Sequence, residues 1–110
     1  MERFVKGDVV IVPFPFSDLS KAKRRPALVV TAFEGDDLLL CQITSQAVRD
    51  DNAVPLAESD FASGGLPRPS HARPNRLFTA DHRLILYRAG HLAPQKVEAV
   101  IAAIERLLRR

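Results

Sequence analysis

A small, strongly curved antiparallel β-sheet, barrel-like and covered by a C-terminal amphipathic helix, is the mainly-β fold class that this sequence predicts. Three observations point to it. Short β-branched and aromatic runs ("VVIVPFPF", "ALVVTAF", "DLLLCQITS", "RLILYRAG") recur between polar or Gly/Pro-rich stretches. Between the second and third runs, "EGDD" has hairpin-turn chemistry, with Gly35 able to take positive φ. The C-terminal stretch then changes to apolar residues at three- and four-residue spacing, the period of a helix with one buried face.

Taken in order, Gly7-Asp8 reads as a turn leading into the first strand. Pro13 and Pro15 remove ladder donors from one flank of that strand and leave Phe14 and Phe16 to pair on the other, which places this end at a sheet edge. The second and third runs form an antiparallel hairpin. A two- or four-residue loop centred on Gly35-Asp36 pairs Phe33 with Leu38, Ala27 with Thr44 and Arg25 with Gln46. Arg25 and Thr44 then share a face on a diagonal of roughly 7–8 Å. An odd-length loop would turn Thr44 to the other face. "NAVPL" is a weaker strand, and Ala57 to Arg76 a long Gly/Pro-rich connection, part of which could pair. "RLILYRAG" resumes the β pattern. The helix runs from Pro94 to Arg109, with Val97, Val100, Ile101, Ile104, Leu107 and Leu108 on one side, Pro94 in the first turn and a favourable Glu105/Arg109 pair.

A chain of 110 residues suits one domain, residues 1–110, with a single modest core. It has no run long and apolar enough to cross a membrane, and "MERFVKGD" carries charges where a signal peptide's apolar centre would begin, so the expected location is the cytoplasm. Cys41, the single cysteine, sits among apolar neighbours and reads as a core thiol. There is no Gly-rich phosphate loop, no metalloprotease helix motif, no paired-cysteine metal signature and no Ser nucleophile elbow, so neither metal nor cofactor is expected. His71, His82 and His91 lack motif spacing and read as surface or structural residues, His71 being the exception because it lies in an Arg-rich loop.

The charge pattern is more informative than the net +3, a moderate excess that permits a nucleic-acid partner without requiring one. Lys21, Lys23, Arg24 and Arg25 stand directly before Pro26 and an apolar run, either as a solvated loop or as a phosphate-binding rim at the mouth of a rigid strand. Arg25 offers a planar fork of donors, Thr44 a compact hydroxyl and Gln46 an amide able to read a base edge or a sugar. On composition alone the solvated loop is the stronger reading. The shared face shifts the balance only modestly toward a site.

The ordered set "GDVVIVPFPF…KRRPALVV…ITSQ", with "SHARPNRLFTADHRLI" and "GHLAPQKVEAVIAAIERLL", resembles the MazF/PemK family of toxin endoribonucleases from type II toxin–antitoxin pairs, from about Gly7 to Leu108. That resemblance implies an SH3-like barrel, usually a homodimer, which cuts single-stranded RNA at short sequences and is held by a small antitoxin with an acidic, flexible segment. The family's catalytic arginine falls on Arg25 and its catalytic threonine on Thr44. Lys21, Lys23 and Arg24 lie in the family's loop near the active site; Ser45, Gln46, His71, Arg73 and Arg76 complete the expected RNA-binding set. Ser70, Arg73 and Pro74 match a Ser-x-Val-Arg-Pro stretch, with Ala72 in place of valine, and Ala80 stands where leucine is frequent. The general base is left open, His71 being one candidate. Two rival readings remain at this stage: a barrel of the same fold that inhibits DNA gyrase, and an inactive RNA- or protein-binding module.

Overall fold

The computed structural model describes residues 3–14, 23–46 and 49–110. Among them, seven strands make one sheet: β1 (Asp8–Phe14), β2 (Lys23–Ala32), β3 (Asp37–Thr44), β4 (Val54–Leu56), β5 (Phe61–Gly64), β6 (Ser70–Asp81) and β7 (Tyr87–Leu92). One α-helix, α1 (Pro94–Leu108), follows. The strand order is β4-β6-β3-β2-β1-β7-β5, neighbours are antiparallel, and the sheet curls into a half-barrel of the expected class.

Both faces of the central strands are covered, and alternate residues feed two apolar layers. Val9, Leu28, Cys41 and Ile43 meet Val97, Val100 and Ile104 of α1 on one side. Val10, Val12, Val29, Leu38 and Leu40 pack with Phe4 and Ala80 on the other. A strand buried on both faces needs no polar positions, so "VVIV" and "ALVV" read as continuous runs. Phe14 belongs to the second layer, edge-on to Phe78 with ring centroids 4.5 Å apart.

The β2–β3 register differs from expectation in two places. Pairing closes at Ala32↔Leu38, not Phe33↔Leu38, so residues 33–37 form an odd-length turn in which Gly35 has φ +87° and Phe33 N–H donates to Asp37 O at 3.0 Å. A bulge between Val29 and Thr31 then moves the register one further residue, giving Ala27↔Gln42 where Ala27↔Thr44 was expected. Each single shift alone would reverse the faces. Together they cancel, and the face that Arg25 shares with Thr44 is restored.

Other elements also depart from the sequence reading. β1 is an interior strand, yet its β7 partner stops at Ile11↔Tyr87, so Pro13 and Phe14 pair with β2 alone and form a local edge. Pro15 and Phe16 lie outside the described residues. Most of Ala57–Arg76 is ordered structure: a 3-10 turn at Glu58–Asp60, then β5, then the start of β6. Glycine hides this, because Gly64 at φ +64° and Gly90 are small so that β5 and β7 can touch, not so that the chain can bend freely. "RLILYRAG" becomes a strand only from Tyr87, since the Asp81 carboxylate accepts from Arg83 N–H (2.8 Å) and starts a 3-10 turn at His82–Leu84. In α1, Pro94 occupies the first turn as expected, and Val97, Val100, Ala103 and Ile104 are buried. The Glu105/Arg109 ion pair does not form: Arg109 has left helical geometry (φ −95°, ψ 4°) and its N–H closes the helix on Glu105 O. Leu108 overruns the sheet and is 73% exposed.

Candidate functional site

The β2–β3 pairing ends at Ala27↔Gln42, and two residues further along each strand Arg25 and Thr44 come level at the end of β3. Both line one groove of about 420 Å³, whose apolar floor includes Ile11, Pro26 and Ile43. Pro26 suits this position because it stiffens the strand next to Arg25 and needs no N–H donor there. Thr44 is 6% exposed, and its Oγ1 accepts from Gln46 N–H at 3.2 Å. That bond uses one lone pair and leaves the hydroxyl proton to donate, since no described residue accepts it. Arg25 is half-buried, its Nε shielded from solvent.

Arg24, Arg68 and Ser45 also line the groove, together with Ser70 and Tyr87, and among the described residues no carboxylate does. Three guanidinium groups against a partly apolar floor make an anion-binding surface, because low-dielectric walls strengthen the field of fixed charges. The other expected RNA contacts are distributed around it. Lys23 is exposed at the start of β2, opposite Phe14. Gln46 is exposed beside Thr44. His71 sits directly opposite Thr44 on β6, with Nδ1 buried and no partner among the described residues. Arg73 lines a different cleft, of about 490 Å³, with Arg49, Asp50, Asn75 and Arg110. Arg76 is exposed in the irregular stretch where β6 departs from β3 between Ala72 and Leu77. Lys21 lies outside the described residues.

Arg68 and Tyr87 did not enter the expected site. The signals were present: Arg68 is framed by Pro67 and Pro69 after Gly64-Gly65, and Tyr87 is the single tyrosine of the chain. Only the folded structure shows that they line the same groove as Arg25.

The Gly-Asp opening serves the fold. Asp8, 3% exposed, accepts from Val5 N–H (2.9 Å) and from His91 Nδ1 (2.8 Å) and pairs with Arg88 Nε at 3.1 Å. It thereby ties the N-terminal segment to β7. Cys41 is likewise structural: burial pushes its thiol up to about 12, and its S–H donates to Arg73 O at 3.2 Å. Among the described residues no cluster of three or more His, Cys, Asp or Glu side chains could hold a metal ion.

Solved structures of the same architecture include MazF toxins and endoribonucleases. The chain is similar to MazF from Deinococcus radiodurans (19% identity, 100% of both chains covered, TM-score 0.78). It is also similar to an endoribonuclease in complex with its cognate antitoxin from a mycobacterial species (14% identity, 97% of this chain and 96% of that one, TM-score 0.78). A third is the Mycobacterium tuberculosis toxin MazF-mt6 (20% identity, 93% and 96% covered, TM-score 0.72). These likenesses define the fold as MazF-like. No curated protein matches the sequence significantly. Residues 5–108 match the family model of PemK-like, MazF-like toxins of type II toxin–antitoxin systems, and the chain belongs to that family.

Proposed function

We propose that this toxin-family member is an endoribonuclease that cuts single-stranded RNA selectively, using the substrate's own 2′-hydroxyl as nucleophile. The observation that carries the reading is the convergence of Arg25 and Thr44 on one cationic groove with no carboxylate among its described lining residues. Attack of the 2′-oxygen on the adjacent phosphorus forms one P–O bond and breaks the P–O5′ bond, giving a 2′,3′-cyclic phosphate and a 5′-hydroxyl. The 2′-hydroxyl proton leaves to a base, and the departing 5′-oxygen takes up a proton. Since the RNA supplies nucleophile and leaving group, the protein's task is alignment and charge neutralisation. Arg25 stabilises the pentacoordinate transition state, and the Thr44 proton donates to a non-bridging oxygen. A guanidinium with a pKa above ~12 is a poor base near neutrality, so Arg25 acts electrostatically.

Lys23, Arg24 and Arg68 guide the phosphate backbone toward the reacting centre. The pairing of His71 with Thr44 across β3 and β6 supports His71 as one candidate for proton transfer. By the same reading the partner is a small antitoxin whose acidic segment competes for the groove, the working form is a homodimer and the site of action is the cytoplasm. No helix among the described residues is long and apolar enough to cross a membrane.

The test is incubation of the purified protein with long single-stranded RNA in EDTA, with cuts mapped by primer extension. Defined cuts ending in cyclic phosphate, slowed about 10²–10³-fold by Arg25→Ala, are expected. Intact RNA would defeat the reading and favour gyrase inhibition or simple binding.

A further inference from the structure

The groove has a wall that the chemistry above leaves without a task. Tyr87 stands opposite Ile11, and Ile11 opposite Pro26, so the three side chains form a row across β7, β1 and β2. With neighbouring strands roughly 4.8 Å apart, Tyr87 lies about 10 Å across the groove from Pro26. Ile11, 8% exposed, forms the floor between them. Tyr87 itself is 50% exposed, and no described residue hydrogen-bonds its hydroxyl.

The adjoining wall, which carries Arg68, is built by a glycine contact. A Cβ on Gly64 would fall 2.3 Å from Ala89 O, and one on Gly90 2.7 Å from Ser63 O. Gly65 N–H donates to Ala89 O at 3.2 Å. Two glycines thus let β5 press on β7 just beyond Tyr87 and carry Leu66, Pro67 and Arg68 to the groove. The result is a half-exposed aromatic face on an apolar floor, rimmed by guanidinium groups. Single-stranded nucleic acid is bound by this combination, since every base has a π-face to stack and every linkage a phosphate to neutralise.

We propose that Tyr87 is a positioning residue that stacks the nucleobase next to the scissile phosphate, with Arg68 holding the neighbouring phosphate. The inference rests on the ribonuclease reading and deepens it. A purine, with the larger stacking face, is preferred over a pyrimidine at that position.

The chain has one tyrosine and no tryptophan, so its ultraviolet emission reports Tyr87 alone. The protein is titrated with an oligonucleotide spanning a mapped cut and carrying 2′-deoxyribose at the attacking position, or with 2′-O-methyl RNA of random sequence if no cut is found. Binding is followed separately by anisotropy of a dye on the RNA. Tyrosine quenching that saturates together with anisotropy is expected, as is its loss when the stacked base is replaced by an abasic site. Tyr87→Ala raises KM about tenfold with kcat within about threefold, and Tyr87→Phe restores KM.

Binding without quenching, or an unchanged KM in Tyr87→Ala, overturns the proposal while leaving the ribonuclease reading intact. Tyrosine emission that changes with protein concentration in the absence of RNA overturns it by assigning Tyr87 to contact between two copies. Neither binding nor cutting overturns both.

Discussion

Thr44 and Cys41 lie three residues apart on β3, and their surroundings assign them opposite roles. Thr44 ends the strand at the groove, with its acceptor engaged by Gln46 and its proton available. Thr44→Val keeps the shape and removes that donor, so a drop of about 10²–10³ in cleavage rate is expected, whereas Thr44→Ser retains most of it; single-turnover kinetics on one mapped cut distinguish them. Cys41 is fully buried, and its thiol is raised from 9.0 to about 12 by burial. A raised folded-state pKa means that the folded chain holds the proton more tightly than the unfolded chain. The stabilisation is therefore complete below about pH 9 and is lost as pH rises from there toward about 12. Urea titrations at pH 8 and pH 10.5 should show a lower midpoint at the higher pH, and native Cys41 should resist iodoacetamide at pH 8 until the chain unfolds. The sequence showed Cys41 as a core thiol through its apolar neighbours. It showed Arg25 and Thr44 as a pair only in combination with a register, because a side chain's face depends on residue counting that local chemistry leaves open by one.

The β2–β3 hairpin illustrates that dependence at the level of elements. Its strands and its glycine turn were legible, because β-branched runs and "EGDD" act locally. Its odd turn and its bulge were not, since both answer to how the sheet curls over two apolar layers. The 57–76 segment was legible only as a long connection, part of which could pair, because glycine marks a flexible turn and a tight strand contact with the same letter. Gly64→Ala would place a methyl group against Ala89 O in a left-handed backbone, so a loss of at least ~2 kcal/mol in chemical denaturation is expected. The helix was legible throughout its core face, where 3.6-residue spacing needs no partner to be recognised. Ile104, 7% exposed in the layer between α1 and the sheet, makes the point quantitatively: Ile104→Ala should cost about 2–5 kcal/mol, read as a lowered urea midpoint.

Across the whole molecule, the net charge of +3 understates the field at the groove. Asp36, Asp81 and His82 cluster near the β2–β3 turn, and the Arg83 fork on Asp81 at 2.8 Å holds that carboxyl well below the usual carboxylate range. The Arg25 groove, by contrast, is lined by guanidinium groups with no acid among its described lining residues. Separation of the two signs leaves one cationic surface. With three phosphates neutralised by Arg24, Arg25 and Arg68, the logarithm of RNA affinity should fall against the logarithm of salt with a slope of roughly −2, and Arg68→Ala should make that slope shallower by about 0.7. Filter binding of an uncleavable oligonucleotide between low and physiological salt measures both.

What the sequence by itself determined is what depends on neighbours along the chain: the β-rich composition, the hairpin turn, the C-terminal helix and the order of motifs that places the chain among PemK-like, MazF-like toxins. The tertiary structure alone decided which side chains meet across strands. Arg68 and Tyr87 come from segments distant in sequence, and they reach the Arg25 groove only because β7 pairs with β1 and because two glycines let β5 press against β7. Strand pairing is a long-range choice driven by burial of two apolar layers, and no short stretch of residues encodes its outcome.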